Sequence, residues 1–108
     1  TWLDALLAAT DPALVRVELD VYWAAFAGHD PLALLKKLGT RVALIHCKDM
    51  APDGSMTEVG QGTLDMSGIV DFAQQYGMWA IVEHDHPRLP SLQSARISLA
   101  YFQAQNVV

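Results

Sequence analysis

Three short strand-like segments, each ending on a polar side chain, limit what this chain can fold into more than any other feature. Val15-Arg16-Val17-Glu18-Leu19-Asp20 is short, rich in β-branched residues and ends on a carboxylate. Val42-Ala43-Leu44-Ile45-His46 stays apolar until an imidazole, and Met78-Trp79-Ala80-Ile81-Val82-Glu83 until a second carboxylate. These segments predict strands near 15–20, 42–47 and 78–83, and the second has the pattern of a strand buried on both faces. Helical signals fill the intervals. Leu3, Leu6 and Leu7 recur at helical spacing until Thr10-Asp11-Pro12 stops them, and Asp30-Pro31 caps a helix over 32–38 that Gly39 closes. A third helix over 67–76 turns Ile69, Val70, Phe72, Ala73 and Tyr76 to one side before Gly77, and a last one spans 92–103.

The order is therefore one helix followed by strand-helix three times, an α/β pattern that implies parallel strands joined by right-handed crossovers. The polar residues ending the runs lie 26 and 37 positions apart, around the roughly 31 residues per unit of a (βα)8 barrel of about 250 residues. That regularity favours one domain over 1–108, a three-unit slice of a TIM barrel preceded by a helix. The competing fold, a small flavodoxin-like sheet, would show a shuffled strand order.

Twelve acidic against seven basic side chains give a net charge of −5, and the basic ones are scattered, so a nucleic-acid backbone is not the expected partner. Cys47 is alone and cannot form an internal disulfide, and the chain opens without the pattern of a secretory signal; a cytoplasmic protein is expected. Charged residues interrupt every apolar run short of the roughly 20 residues that cross a bilayer. The sequence starts mid-helix and without methionine, which points to a piece of a longer protein or to processing.

Asp20, His46 and Glu83 occupy one position three times over, the C-terminal end of a parallel strand, where active-site groups converge. Two carboxylates and an imidazole suit a divalent ion such as Mn²⁺, Mg²⁺, Co²⁺ or Zn²⁺. Lys48, two residues after His46, points the same way on a strand; it either reaches a substrate oxygen or pairs with Asp49 or Asp85. Glu58-Val59-Gly60-Gln61-Gly62 is either a loop folding over the site or a turn before the next helix. His84 and His86 are read as supporting or surface groups, His29 as exposed, and Cys47 as a small hydrophobe packed on a helix. Trp2, Trp79 and Phe102 are expected to cover core. There is no dinucleotide fingerprint and no P-loop.

Four motifs in order, Glu18-Leu19-Asp20-Val21-Tyr22-Trp23, His46-Cys47-Lys48-Asp49, Glu58-Val59-Gly60-Gln61-Gly62 and Val82-Glu83-His84-Asp85, resemble signatures of the sugar phosphate isomerase/epimerase family of xylose isomerase-like barrels, and the chain is similar to that barrel's C-terminal portion. The resemblance implies a metal-dependent isomerase or epimerase that moves a proton next to a carbonyl through an enediolate; dehydratases of cyclic polyols share the constellation. It assigns Asp20, His46 and Glu83 to the metal and Glu83 to acid/base catalysis; the reading of the residues themselves adds Lys48 as a catalytic and substrate-contacting group, and Trp23 and Glu58 as contacts to the sugar or polyol substrate. Trp23 stands where some epimerases of the family carry a histidine, and suits an aromatic wall against a sugar face. The family's first glutamate ligand has no counterpart. The alternative is a non-catalytic metal- or sugar-binding module derived from the barrel. The family's DNA-repair endonuclease branch needs further zinc ligands and a basic groove, which this sequence does not offer. Three parallel strands cannot close, so the remainder of a longer barrel or a second copy of the chain is the expected partner.

Overall fold

A computed structural model describes residues 1–107. Helix α1 (Trp2–Ala8) starts at a capping box in which the Thr1 hydroxyl accepts from the Asp4 N–H at 3.1 Å and the Asp4 carboxylate reaches back to Thr1. Strand β1 (Val17–Asp20) runs straight into helix α2 (Val21–Phe26), because Asp20 is both the last strand residue and the cap: its Oδ1 accepts from the Trp23 N–H at 2.9 Å. Helix α3 (Pro31–Leu38) has Asp30 as its cap and Pro31 in its first turn, and stops at Gly39, whose φ of +53° suits a residue without Cβ. A 3₁₀ turn leads to β2 (Val42–Cys47).

A short antiparallel hairpin, β3 (Asp49–Met50) with β4 (Met56–Thr57), follows β2. Nothing in the sequence announced it, since two-residue strands are too short to show a period. Helix α4 (Met66–Gln75), capped by Asp65, strand β5 (Trp79–Val82) and helix α5 (Ser91–Ala104) complete the fold.

The sheet has the order β1-β2-β5 and both pairings are parallel. Strands thus stand side by side in sequence order, as in a barrel and unlike the shuffled order of a flavodoxin-like sheet. Asp20 lies opposite His46, His46 opposite Ile81, and Cys47 opposite Val82, so Glu83 emerges one step past the sheet beside the other two polar ends.

The core lies on the helix side: Leu19, Ile45 and Cys47 pack with Leu35, Leu38, Ile69, Val70, Ala73 and Phe102. Phe102 covers core as expected, but Trp2 and Trp79 do not, at 94% and 74% exposed. The cause is positional. Helix α1 buries none of its residues, and Trp79 belongs to the outer strand, all four of whose residues are exposed. Among the described residues no helix is long and apolar enough to cross a membrane.

Candidate metal centre

Alternation along β1 puts Glu18 and Asp20 on one face, the register places that face beside His46, and the chain after β5 adds Glu83. His46 Nδ1 lies 3.5 Å from Asp20 Oδ2 and 4.0 Å from Glu83 Oε2. One ligand atom from each of the three falls within 4.8 Å of the others. Donors around an ion with bonds of about 2.1 Å stand roughly 3 to 4 Å apart in octahedral geometry, so the group fits a small divalent ion after minor side-chain rotation. Asp20 divides its labour, with Oδ1 spent on the α2 cap and Oδ2 turned to the cluster.

The other ring nitrogen of His46, Nε2, is 2.9 Å from Glu18 Oε1. A carboxylate at that nitrogen leaves Nδ1 free to ligate, the usual support for a metal-binding histidine. Glu18 was not singled out from the sequence; its signal was the two-residue spacing from Asp20.

Lys48 is 1% exposed and its ammonium sits inside the carboxylate group. It donates to Asp85 Oδ2 at 2.7 Å, lies 3.1 Å from Asp20 Oδ2, contacts Glu83 Oε2, and stands 6.0 Å from the Trp23 ring centroid. Burial alone would lower the Lys48 pKa, but hydrogen bonds with Asp85, Glu83 and Asp20 outweigh it and hold the group above its ordinary range. Reciprocally, the hydrogen bond from Lys48, with burial opposing and the Lys48 charge adding to it, holds the Asp85 carboxyl below its ordinary range. Glu18, Asp20, Glu83 and Asp85 against Lys48 carry a formal charge of −3, which a divalent cation would bring to −1. The donor set is therefore chemically suited to such an ion.

Of the two pairings open to Lys48 in the sequence, the one with Asp85 forms. Asp49 turns the other way. It is fully buried, and it accepts from the N–H groups of Met50 at 2.8 Å and of Gly60, Gly62 and Leu64 at 3.1 Å each. The 58–62 segment is thereby lashed to the end of β2. Gly60 has a φ of +84°, and a Cβ there would strike the Tyr101 ring, while one on Gly62 would strike the Asp49 carboxylate. The glycines serve close approach to Asp49 and α5.

Glu58 turns its carboxylate toward His84, with Oε1 3.9 Å from Nε2 and both side chains nearly buried. Burial raises the Glu58 pKa, yet its backbone N–H, Ser94, Thr57 and the His84 charge together bring it below the usual range. His84 thus braces the loop from the β5 side. His86 is exposed and donates its N–H to His84 Nδ1 at 3.3 Å, and His29 is exposed. Trp23 is half-exposed, edge-on to Tyr22 and Phe26. Cys47, fully buried on the helix side, has its thiol pushed up to about 12, by burial first and then by the Asp20 charge.

No family model matches the chain. Among curated proteins it is 27% identical to an inosose dehydratase of Clostridium tetani, across 98% of this chain and 43% of that protein. It is 31% identical to an inosose dehydratase of Geobacillus kaustophilus, across 75% of this chain and 33% of that protein. A crystal structure of a sugar phosphate isomerase/epimerase from Parabacteroides distasonis superposes on 96% of this chain and 36% of its own, with a TM-score of 0.76 and 30% identity. The chain thus spans a third to two-fifths of the length of these relatives. Its parallel strands, in sequence order with their helices, form part of a TIM barrel, and by sequence and fold together the chain belongs to the sugar phosphate isomerase/epimerase family of xylose isomerase-like barrels.

Proposed function

We propose that the chain supplies Asp20, His46 and Glu83 as three ligands of a divalent metal centre (Mn²⁺, Mg²⁺, Co²⁺ or Zn²⁺) in an enzyme that moves a proton next to the carbonyl of a sugar or cyclic polyol. The observation carrying this reading is the convergence of the three donor atoms within 4.8 Å at the C-terminal end of a parallel sheet. The relatives bear the names isomerase/epimerase and inosose dehydratase, and both chemistries start with the same step, removal of a proton from the carbon beside a carbonyl. They differ afterwards: the enediolate is reprotonated in one and loses a hydroxyl in the other.

A divalent ion bound here supplies Lewis acidity to the substrate's carbonyl and hydroxyl oxygens. In this reading Glu83 carries the proton as one acid/base, Lys48 offers an N–H to a substrate oxygen, and Trp23 forms an aromatic wall against the ring. Glu58, fixed by His84, borders the substrate at the loop. The fourth ligand and the opposing acid/base come from outside this sequence, from a strand that pairs with the free edge of β1 in the rest of a longer barrel or in a second copy. The exposed apolar side chains of β5 support the same reading for the other edge of the sheet. The lone buried Cys47 suits a cytoplasmic setting.

Calorimetric titration with Mn²⁺, comparing the chain with Asp20→Asn, His46→Ala and Glu83→Gln, tests the centre: each substitution is expected to weaken binding at least tenfold. Incorporation of solvent deuterium into a panel of ketoses and inososes tests the chemistry. Absence of Mn²⁺ binding, or binding indifferent to all three substitutions, overturns the reading; metal binding without exchange replaces it with a non-catalytic binding module.

A further inference from the structure

Asp85 lies two residues beyond Glu83 and outside the three-ligand group, yet it holds the one buried cation of the site. The Lys48 ammonium lies against three carboxylates, in ion pairs with Asp20 Oδ2 and Glu83 Oε2 and as hydrogen-bond donor to Asp85 Oδ2. The first two of those oxygens are the same atoms that face His46 Nδ1. The Lys48 ammonium and a divalent cation would therefore draw on the same two oxygens, while Asp85 offers the ammonium a third anchor that no metal needs. Asp85 is also suited to that task by place. Its side chain is 36% exposed, in the turn after β5 and free of the strand register, whereas Asp20 and His46 are pinned by the ladder.

We propose that Asp85 is a positioning residue of this centre: by holding the Lys48 ammonium it draws the competing positive charge off Asp20 and Glu83, and so sets how tightly those carboxylates bind a divalent cation. The inference rests on the metal-centre reading above, and it adds a role for two residues that are not ligands.

Mn²⁺ binding to the full chain, followed by loss of the free-ion electron paramagnetic resonance signal, tests it in a double-mutant cycle. Asp85→Asn is expected to weaken Mn²⁺ binding about tenfold, Lys48→Met to strengthen it about tenfold, and Asp85→Asn added to Lys48→Met to change it less than twofold. Asp85→Glu, which keeps the charge, is expected to restore affinity to near that of the unmodified chain, and decides the matter if Lys48→Met fails to fold. An unchanged affinity in Asp85→Asn overturns the proposal. So does a weakening that persists in full without Lys48, or one that Asp85→Glu shares. If no form of the chain binds Mn²⁺, the metal centre itself falls and this role with it; binding without coupling removes the role alone.

Discussion

Lys48 and Asp49 are adjacent and buried, at 1% and 0% exposed, and they send their charges in opposite directions: the ammonium to the carboxylates at the strand ends, the carboxylate to four backbone N–H groups of the 49–64 segment. This follows from alternation at the end of β2. Each residue solves a burial problem that would be costly alone, because an unpaired buried charge costs several kcal/mol.

Asp49→Asn is nearly isosteric, but its amide nitrogen cannot accept, so at least one of the two oxygen positions now faces N–H groups with a donor. Leaving buried donors unpaired costs about 1 to 3 kcal/mol for each group, and a loss of about 2 to 5 kcal/mol is expected in urea denaturation. Amide exchange is expected to rise first at Gly60, Gly62 and Leu64. Unchanged protection at these amides would contradict the role assigned to Asp49.

Gly60 carries two constraints that can be separated. An alanine at a left-handed position costs about 1 kcal/mol in backbone strain, and its Cβ would also strike the Tyr101 ring. Gly60→Ala is therefore expected to cost about 2 to 4 kcal/mol. In a Tyr101→Ala background, where only the backbone strain remains, the same substitution is expected to cost about 1 kcal/mol. Equal costs in both backgrounds would show that the ring is no obstacle.

The strand ends were legible because period and polarity coincide there: Val42 to His46 is apolar until its imidazole, and the register that brings Asp20, His46 and Ile81 into line follows from parallel pairing. The expected helix over 67–76 lies at Met66–Gln75, because its apolar stripe and its flanking Asp65 and Gly77 both mark it. What stayed hidden were groups whose partners are far along the chain. Nothing local to Asp85 tells that a lysine 37 positions earlier donates to it. Nor does the Glu58-Val59-Gly60-Gln61-Gly62 motif disclose that its glycines make room for Asp49 and Tyr101. Glu18 is an intermediate case, since its spacing from Asp20 fixed its face but not its approach to His46 Nε2. Trp79 misled because an apolar aromatic in a strand reads as core, whereas exposure depends on which strand is outermost.

The Lys48–Asp85 pair gives stability a pH dependence whose sign is fixed by the two shifts. The Asp85 carboxyl is depressed by its hydrogen bond from Lys48, so its contribution is present above the ordinary carboxylate pKa, near 4, and is lost as pH falls through the depressed value. The Lys48 ammonium is raised, so its contribution is complete below the ordinary lysine value, near 10.4, and is lost as pH rises through the elevated one. Between pH 5 and 9 the pair's contribution is flat. Urea denaturation of the chain and of Asp85→Asn is expected to show a constant difference across that range and one that shrinks as pH falls through the depressed Asp85 value. A difference that grows in acid would reverse the sign and rule the pairing out.

The outer strand supplies the last prediction. Trp79 at 74%, Ile81 at 37% and Val82 at 38% exposed stand on a strand whose far edge has unpaired N–H and C=O groups among the described residues. Open edges of this kind recruit another strand unless charge or proline blunts them, and β5, Trp-Ala-Ile-Val, has neither. The isolated chain is therefore expected to self-associate, its mean mass by light scattering rising with concentration, and Trp79→Lys is expected to shift that rise to about tenfold higher concentration by placing a charge on the edge. A chain that stays monomeric at high concentration and binds no hydrophobic dye would mean that the edge is already satisfied within the fold, and Trp79→Lys would then leave the mass unchanged.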